Sequence, residues 1–88
     1  MIKRDITIEN EMGLHARAAA LFVLTTNKFA SDIFIKKNGD MINAKSIMGI
    51  MALGISQGSV ISLIINGIDE EEATAEITHL ITNKLMEL

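Results

Sequence analysis

The chain contains no cysteine, tryptophan or tyrosine, and each absence limits what the protein can be. Without cysteine it has no disulfide bond, no thiolate metal site and no cysteine nucleophile. Because three phenylalanines are its only aromatic residues, we expect a core of isoleucine, leucine, valine, alanine and methionine. Apolar residues make up 49% of the 88 residues. That is enough for one core, so residues 1–88 are predicted to form one domain.

Charge and hydropathy argue against two classes of partner. The formal net charge is −3, and no basic patch is interleaved with aromatic residues, so nucleic acid is not an expected ligand. No window approaches the roughly 18–20 apolar residues that a membrane span needs. The N-terminal segment leads into alternation and not into a continuous apolar stretch, which is unlike a signal peptide. We therefore expect a soluble protein of the reducing cytoplasm.

Four segments are predicted to be strands, the first from alternation and the others from apolar, β-branched runs bounded by turn signals. In the first, residues 2–9, isoleucine alternates with polar residues, and Arg4 is the exception on the inner face. Three further strands are predicted over residues 32–37, 40–43 and 59–66. The dipeptide Asn38-Gly39 lies between the second and the third, and it is a strong hairpin signal because both positions tolerate positive φ.

Three helices complete the predicted element order β-α-β-β-α-β-α. Residues 16–27 are rich in alanine and place apolar residues at helical spacing. Ser46 marks the start of a short helix, residues 47–53, which a glycine ends. Asp69, with Glu72 three residues on, resembles a capping box before a last helix of about four turns. The apolar positions of that helix are Ala73, Ile77, Leu80, Ile81 and Leu85.

This element order predicts the fold class. Linkers, repeats and low-complexity tracts are absent from the sequence. Four strands and three helices in this order favour an α+β fold, in which a four-stranded antiparallel sheet carries three helices on one face. The other face of the sheet stays open to solvent.

His15 is the first candidate for chemistry, because it directly precedes the alanine-rich helix in the segment Gly-Leu-His-Ala-Arg, residues 13–17. Backbone N–H groups and the dipole at a helix N-terminus attract phosphate, and Arg17 adds a fixed cation. His15 is the side chain nearby that can act as a nucleophile near neutral pH. The alternative is a histidine that only caps the helix. However, cap positions favour Ser, Thr, Asp or Asn, and a cation in the first turn is unfavourable unless an anion joins it.

The sequence lacks the residue patterns that metal sites, hydrolase triads and nucleotide-binding loops require. His79 is the second histidine, and no cluster of histidine and acidic residues has the spacing of metal ligands. No histidine pairs with an acid and a serine as in a hydrolase triad, and no G-x-x-x-x-G-K-[ST] loop exists to bind a nucleotide. We therefore expect no metal, no cofactor and no free-standing enzyme activity.

Ser46 has two interpretations. As an N-cap it contributes about 1 kcal/mol, which fully explains a serine at this position. As a phosphorylation site it would place about two negative charges beside the apolar residues Ile47, Met48 and Met51. The helix that holds them has more apolar residues than it can bury. It is either a loosely packed core helix or a docking surface, since methionine adapts to several partners.

Two sequence motifs, and the distance between them along the chain, resemble those of the HPr family. They are residues 13–17 and residues 43–51 (Asn-Ala-Lys-Ser-Ile-Met-Gly-Ile-Met), together with the acidic helix start at residues 69–73. HPr is the histidine-containing phosphocarrier protein of the bacterial sugar phosphotransferase system. The resemblance spans the whole chain and implies an open-faced β-sandwich, in agreement with the element order.

The resemblance also implies a mechanism. His15 would accept a phosphoryl group on Nδ1 from phosphorylated enzyme I, which phosphoenolpyruvate charges, and would pass it to a histidine of a sugar-specific enzyme IIA. Arg17 would steady the group and help to release it. In Gram-positive relatives an ATP-dependent HPr kinase/phosphorylase modifies the serine equivalent to Ser46, and the product assists a catabolite control repressor. Met48, Met51 and the adjacent Ile47 would form the shared docking face.

Two positions beside His15 depart from the family pattern. Relatives usually have proline where this chain has Ala18, and a small polar residue where it has Met12. Alanine is a good helix former, so we expect an intact helix with a slightly looser start. Methionine leaves no hydrogen-bonding side chain at position 12.

Two alternatives to a working carrier stay open. One is a regulatory HPr-like binding module, a co-effector of catabolite repression, in which His15 is slow or specialised. Relatives of that kind lack a histidine at position 15, so its presence favours the carrier. The other is a plain interaction domain, which leaves the pairing of His15 with Arg17 unexplained. We expect a monomer, because one small carrier has to present one face to several partners.

Overall fold

The computed structural model describes residues 1–88, and its elements follow the predicted order. The strands are β1 (Ile2–Thr7), β2 (Asp32–Lys37), β3 (Asp40–Asn43) and β4 (Val60–Asn66). The helices are α1 (Ala16–Thr26), α2 (Ile47–Ala52) and α3 (Glu70–His79). One π-helical turn, Leu80–Lys84, and one 3₁₀ turn, Leu85–Glu87, follow α3. The predicted last helix is thus α-helical only as far as His79, although its apolar residues are all buried as expected.

All neighbouring strands of the sheet are antiparallel, and their order is β1-β4-β2-β3. On the two central strands every second side chain is buried, namely Ile33, Ile35, Ile61, Leu63 and Ile65. The alternate residues, on the opposite face, are half-buried or exposed. The helices therefore cover one face, which makes the fold the α+β open-faced β-sandwich that the sequence predicts.

The strand register and the backbone angles each confirm one local prediction. Arg4 pairs with Leu63, which is buried, so Arg4 belongs to the helix-covered face, and it is exposed there because β1 is an edge strand. The turn between β2 and β3 has positive φ at Asn38 (50°) and Gly39 (89°). This is the backbone conformation that a two-residue hairpin turn requires.

The core contains 20 buried apolar residues and no methionine. The prediction of methionine in the core is wrong, because all six methionines are 45–79% exposed. For the three methionines of β3 and α2, the physical reason is the face of the element on which each residue lies. Met41 precedes Ile42 on β3, so its side chain points to the opposite face. Met48 and Met51 flank Ile50, which is the buried residue of α2.

The predicted capping box at the start of α3 is also wrong. Asp69 is the N-cap residue, but its side chain forms no capping hydrogen bond with the helix. Its carboxylate accepts hydrogen bonds from the N–H groups of Ala30 (2.8 Å) and Ser31 (2.9 Å), and from the Ser31 hydroxyl. These bonds, led by that of the hydroxyl, lower the pKa of Asp69 below its usual range. Asp69 therefore holds the loop after α1 against the start of α3.

Candidate functional site

His15 is the N-cap residue of α1, with extended backbone angles (φ −70°, ψ 179°). Its carbonyl oxygen accepts from the N–H of Ala19 at 2.8 Å and so begins the helix. Its Nδ1 accepts from the N–H of Arg17 at 3.2 Å. A ring nitrogen that accepts carries no proton, so this geometry assigns the proton of the neutral ring to Nε2. The imidazole thus presents a lone pair, on Nδ1, to the first turn of the helix.

Gly13 determines how the chain enters α1. Its φ is +62°, in the left-handed region that favours glycine. A Cβ there would lie 2.8 Å from the Cα of Ser56 and would overlap the carbonyl oxygen of Ile55. Leu14 is buried and donates its N–H to the same oxygen at 3.0 Å. The loop before His15 is therefore held against the segment that follows α2, at a distance that excludes any side chain at position 13.

Asn10 closes this loop from within, a role that the sequence analysis missed. Its side chain is 4% exposed, and its Nδ2 donates to the carbonyl oxygen of Gly13 at 2.7 Å. The N–H of Gly13 returns a bond to the Asn10 carbonyl oxygen at 3.1 Å. The available signal was an asparagine three residues before a glycine, a spacing that is typical of the first and fourth positions of a β-turn. Asn10 positions the backbone that leads to His15.

Arg17 supplies the positive charge of this site. Its side chain is exposed and forms no ion pair or side-chain hydrogen bond within the protein. The first turn of α1 contains no acidic residue. The free N–H groups of that turn and the guanidinium are therefore not neutralised by a nearby helix carboxylate. The N-terminal end of α1 is electrostatically suited to a bound anion.

The two departures from the family pattern have clear structural places. Ala18 is fully buried in a helix that begins regularly at Ala16, so the expectation of an intact helix is confirmed. Met12 is 63% exposed in the preceding loop. A thioether is a weak acceptor and no donor, so position 12 offers little hydrogen bonding to the imidazole.

Ser46 caps α2, as predicted, because its Oγ accepts from the N–H of Gly49 at 3.0 Å. The preceding residue is held in two ways. The N–H of Lys45 donates to Oδ1 of Asn43 at 2.9 Å, and its Nζ donates to the carbonyl oxygen of Phe29 at 2.7 Å. Phe29 lies three residues beyond the last residue of α1, so the Nζ bond ties the start of α2 to the segment after the far end of α1.

Three apolar side chains of α2 lie in solvent, and we call them the α2 patch. They are Ile47, Met48 and Met51, with exposed fractions of 40%, 78% and 45%. Leu24 of α1 is 69% exposed, two turns along the helix face that carries Arg17. The sequence analysis did not single out Leu24, although its position off the buried stripe of α1 was a signal. Ile50 is the buried residue of α2, so the helix presents an apolar surface to solvent.

The structure brings the candidate residues onto two neighbouring helices. His15 and Arg17 share a hydrogen bond at the start of α1, and α1 packs against α2, which carries Ser46 and the α2 patch. His79 belongs to α3, where its Nδ1 lies 3.1 Å from Nδ2 of Asn83. No group of three or more histidine or acidic side chains could hold a metal ion. No helix has the length and hydropathy to cross a membrane.

Comparison with known proteins assigns the family. The sequence profile described as "PTS HPr component phosphorylation site" matches residues 2–83. The HPr-like protein Crh of Halalkalibacterium halodurans is 52% identical over 73 residues, which cover 83% of this chain and 87% of that relative. The phosphocarrier protein HPr of Neisseria meningitidis serogroup A is 46% identical over 81 residues, which cover 92% of this chain and 91% of that relative. The crystal structure of HPr-C-His from Thermoanaerobacter tengcongensis superposes with a TM-score of 0.93 at 53% identity, covering 97% of this chain and 96% of that chain. The chain therefore belongs to the HPr family, the phosphocarrier proteins of the phosphotransferase system.

Proposed function

We propose that this protein relays a phosphoryl group from phosphorylated enzyme I, through His15, to a sugar-specific enzyme IIA. The observation that carries the proposal is the position of His15 Nδ1 at the N-terminus of α1, 3.2 Å from the amide nitrogen of Arg17. A phosphoryl group on this nitrogen would face the free N–H groups and the positive end of the helix dipole. Membership of the family supports the two partner enzymes. A cytoplasmic monomer suits the role, because one face serves both partners in turn.

The transfer step follows from the same geometry. The lone pair of His15 Nδ1 attacks the phosphorus of the phosphoryl group on enzyme I. A new N–P bond forms as the bond between phosphorus and the donor atom breaks, and the donor atom keeps the released electron pair. No proton has to leave Nδ1 first, because the ring proton is on Nε2. The Arg17 N–H, released from the ring nitrogen, can then donate to a phosphoryl oxygen, and the guanidinium adds a charge-assisted bond.

Reconstitution with purified enzyme I, enzyme IIA and labelled phosphoenolpyruvate tests the relay. We expect label on enzyme IIA when the wild-type protein is present and no label when it carries His15→Ala. His79→Ala is the matched control, since it removes the other histidine, which lies in α3. Label that reaches enzyme IIA through the His15→Ala protein would overturn the proposal.

A second candidate function is regulation through Ser46. A phosphoryl group on its hydroxyl would sit at the N-terminus of α2, where negative charge is tolerated, and beside the α2 patch. A relative with 52% identity is named an HPr-like protein Crh, which favours this second role. In that role an HPr kinase/phosphorylase would add the group, and a catabolite control repressor would bind the product.

Incubation with ATP and an HPr kinase/phosphorylase, followed by peptide mass spectrometry, tests the second function. Phosphoserine at position 46, absent from the Ser46→Ala variant, would support it. An unmodified protein, under conditions that modify an established HPr substrate, would count against it. The two functions are separable because phosphohistidine is lost in acid and phosphoserine is not.

A further inference from the structure

All sulfur in this protein is in methionine, and all six methionines are exposed to solvent. Methionine is otherwise among the residues most often found buried. Here the 20-residue apolar core contains none. The chain also has no cysteine, tryptophan or tyrosine that would compete for an oxidant. A peroxide that reaches this protein therefore meets accessible thioether sulfur first.

Three of these methionines lie on segments that carry or lead to the candidate residues. Met48 and Met51, 78% and 45% exposed, belong to the α2 patch. Met12, 63% exposed, lies in the loop that leads to His15. That loop is bonded through Leu14 to Ile55, in the segment that follows α2. Three of the six thioethers thus lie on the segments that carry or adjoin His15 and Ser46.

We propose that Met12, Met48 and Met51 are oxidation sites that make the docking of protein partners sensitive to hydrogen peroxide. The inference rests on the proposed function, in which this surface contacts enzyme I. The thioether sulfur attacks one peroxide oxygen, an S–O bond forms, the O–O bond breaks, and water leaves. The sulfur loses two electrons and the peroxide gains them. No other co-reactant is required.

Oxidation to the sulfoxide makes the methionine side chains of the docking surface polar. Methionine sulfoxide is polar and chiral, whereas the thioether is apolar and adaptable. A partner that buries the sulfoxide has to remove water from the new S–O group without a hydrogen bond prepared for it. Because the two methionine sulfoxide reductases restore the thioether, the loss of docking is reversible.

Two of the three remaining methionines provide an internal control. Met41 (57% exposed) and Met86 (48% exposed) are about as accessible as Met12 and Met51, so they react with peroxide under the same conditions. Met41 lies on the open face of the sheet, and Met86 lies in the 3₁₀ turn at the C-terminal end. Oxidation at these two positions leaves the docking surface unchanged.

The experiment compares three proteins before and after treatment with hydrogen peroxide. They are the wild type, the triple variant Met12→Leu/Met48→Leu/Met51→Leu, and the control variant Met41→Leu/Met86→Leu. Leucine has a similar volume and cannot be oxidised. The quantity compared is the ratio of oxidised to unoxidised affinity for enzyme I, by titration calorimetry, with peptide mass spectrometry to locate each sulfoxide. Comparing ratios makes the result independent of each variant's starting affinity.

We expect oxidation to weaken binding by the wild type and the control variant about tenfold, and reductase treatment to restore it. The triple variant keeps a ratio close to one. The inference is overturned if the triple variant loses as much as the wild type, or if the wild type binds unchanged with all three sulfoxides present. It is also overturned if circular dichroism shows that oxidation unfolds the protein. An unoxidised wild type that binds enzyme I but accepts no phosphoryl group would refute the proposed relay, while the calorimetric comparison would still decide this inference.

Discussion

The backbone N–H of Arg17 donates to Nδ1 of His15 across 3.2 Å, and the guanidinium of the same arginine is exposed and unpaired within the protein. One residue thus supplies two things to the N-terminus of α1. Its backbone turns a ring nitrogen toward the helix, and its side chain is a cation that is free to bind an anion. The backbone bond survives substitution of the side chain, so the two contributions can be separated.

Arg17→Ala should slow phosphoryl transfer to His15 and leave the fold intact. A charge-assisted hydrogen bond contributes about 1.5–3 kcal/mol, so we expect a loss of roughly 10- to 100-fold in the transfer rate from phosphorylated enzyme I. The transfer rate of Arg17→Lys should lie between those of the wild type and Arg17→Ala. An ammonium keeps the positive charge but lacks the planar set of donors of a guanidinium. Rapid-quench kinetics measures the rate. Arg4→Ala, which removes an exposed arginine from β1, is the control, and an equal effect of both alanine variants would contradict the account.

Gly13→Ala should destabilise the protein more than Gly54→Ala. Both glycines have a φ of +62°, so both variants place alanine in the left-handed region at a cost of about 1–2 kcal/mol. Open space surrounds a Cβ at position 54, whereas at position 13 it would meet the backbone of Ile55 and Ser56. The crowded variant should therefore lose roughly 3 kcal/mol in total. Urea unfolding measures both, and equal losses would show that the close approach is not a constraint.

Ser46→Asp should weaken acceptance of the phosphoryl group from enzyme I without melting α2. Aspartate caps helices as well as serine does, but it places a negative charge beside the α2 patch. Ser46→Asn is the matched control, since asparagine has the same shape and capping ability without the charge. We expect the Michaelis constant of enzyme I to rise for the aspartate variant alone. A similar rise for both variants would assign the effect to shape and not to charge.

Asp69 should make stability depend on acid pH. The Ser31 hydroxyl and the N–H groups of Ala30 and Ser31 stabilise the ionised carboxylate and lower its pKa in the folded state. The unfolded chain titrates near the ordinary value of about 3.9, so it binds a proton first as the pH falls. The stabilisation is therefore complete above that value and is lost as the pH drops through the folded-state pKa.

Urea unfolding between pH 7 and pH 2 checks this sign. The free energy of unfolding of the wild type should fall on acidification below about pH 4. Asp69→Asn should start lower and show a flatter decline. A shallower slope remains, because the N–H of Gly67 and the terminal amino group likewise lower the pKa of Glu70. Glu11→Gln, at an exposed loop position without a bonded partner, should match the wild type, and parallel curves for the Asp69 variant would refute the assignment.

Much of the fold is encoded in local patterns, and those patterns are visible in the sequence. The isoleucine alternation in β1 predicts which of its side chains face the core, because side chains on a strand alternate between the two faces. Asn38-Gly39 predicts the hairpin because few other pairs tolerate two positive φ angles. The N-cap positions of His15 and Ser46 follow from their place before apolar helical runs. Each of these signals acts within a few residues.

The features that the sequence did not reveal depend on residues that are distant in the chain. Asp69 resembled a helix cap, but its carboxylate bonds to Ala30 and Ser31, which are 39 and 38 positions away. That tertiary contact replaces the local one, and no local pattern signals it. The methionines were expected in the core on composition alone, whereas their phase within β3 and α2 points them outward. Composition does not indicate on which face of a strand or helix a residue lies. That face depends on the position of the residue within its element.

The central claim is that His15 carries the phosphoryl group, and site mapping after the enzyme I reaction tests it most directly. The protein is incubated with enzyme I and phosphoenolpyruvate, and mass spectrometry under neutral and alkaline conditions locates the modification. We predict one added phosphoryl group on His15 that is stable in base and lost in acid, present in His79→Ala and absent from His15→Ala. No addition, with enzyme I shown to be active on another HPr, or addition that persists in His15→Ala, would contradict the account.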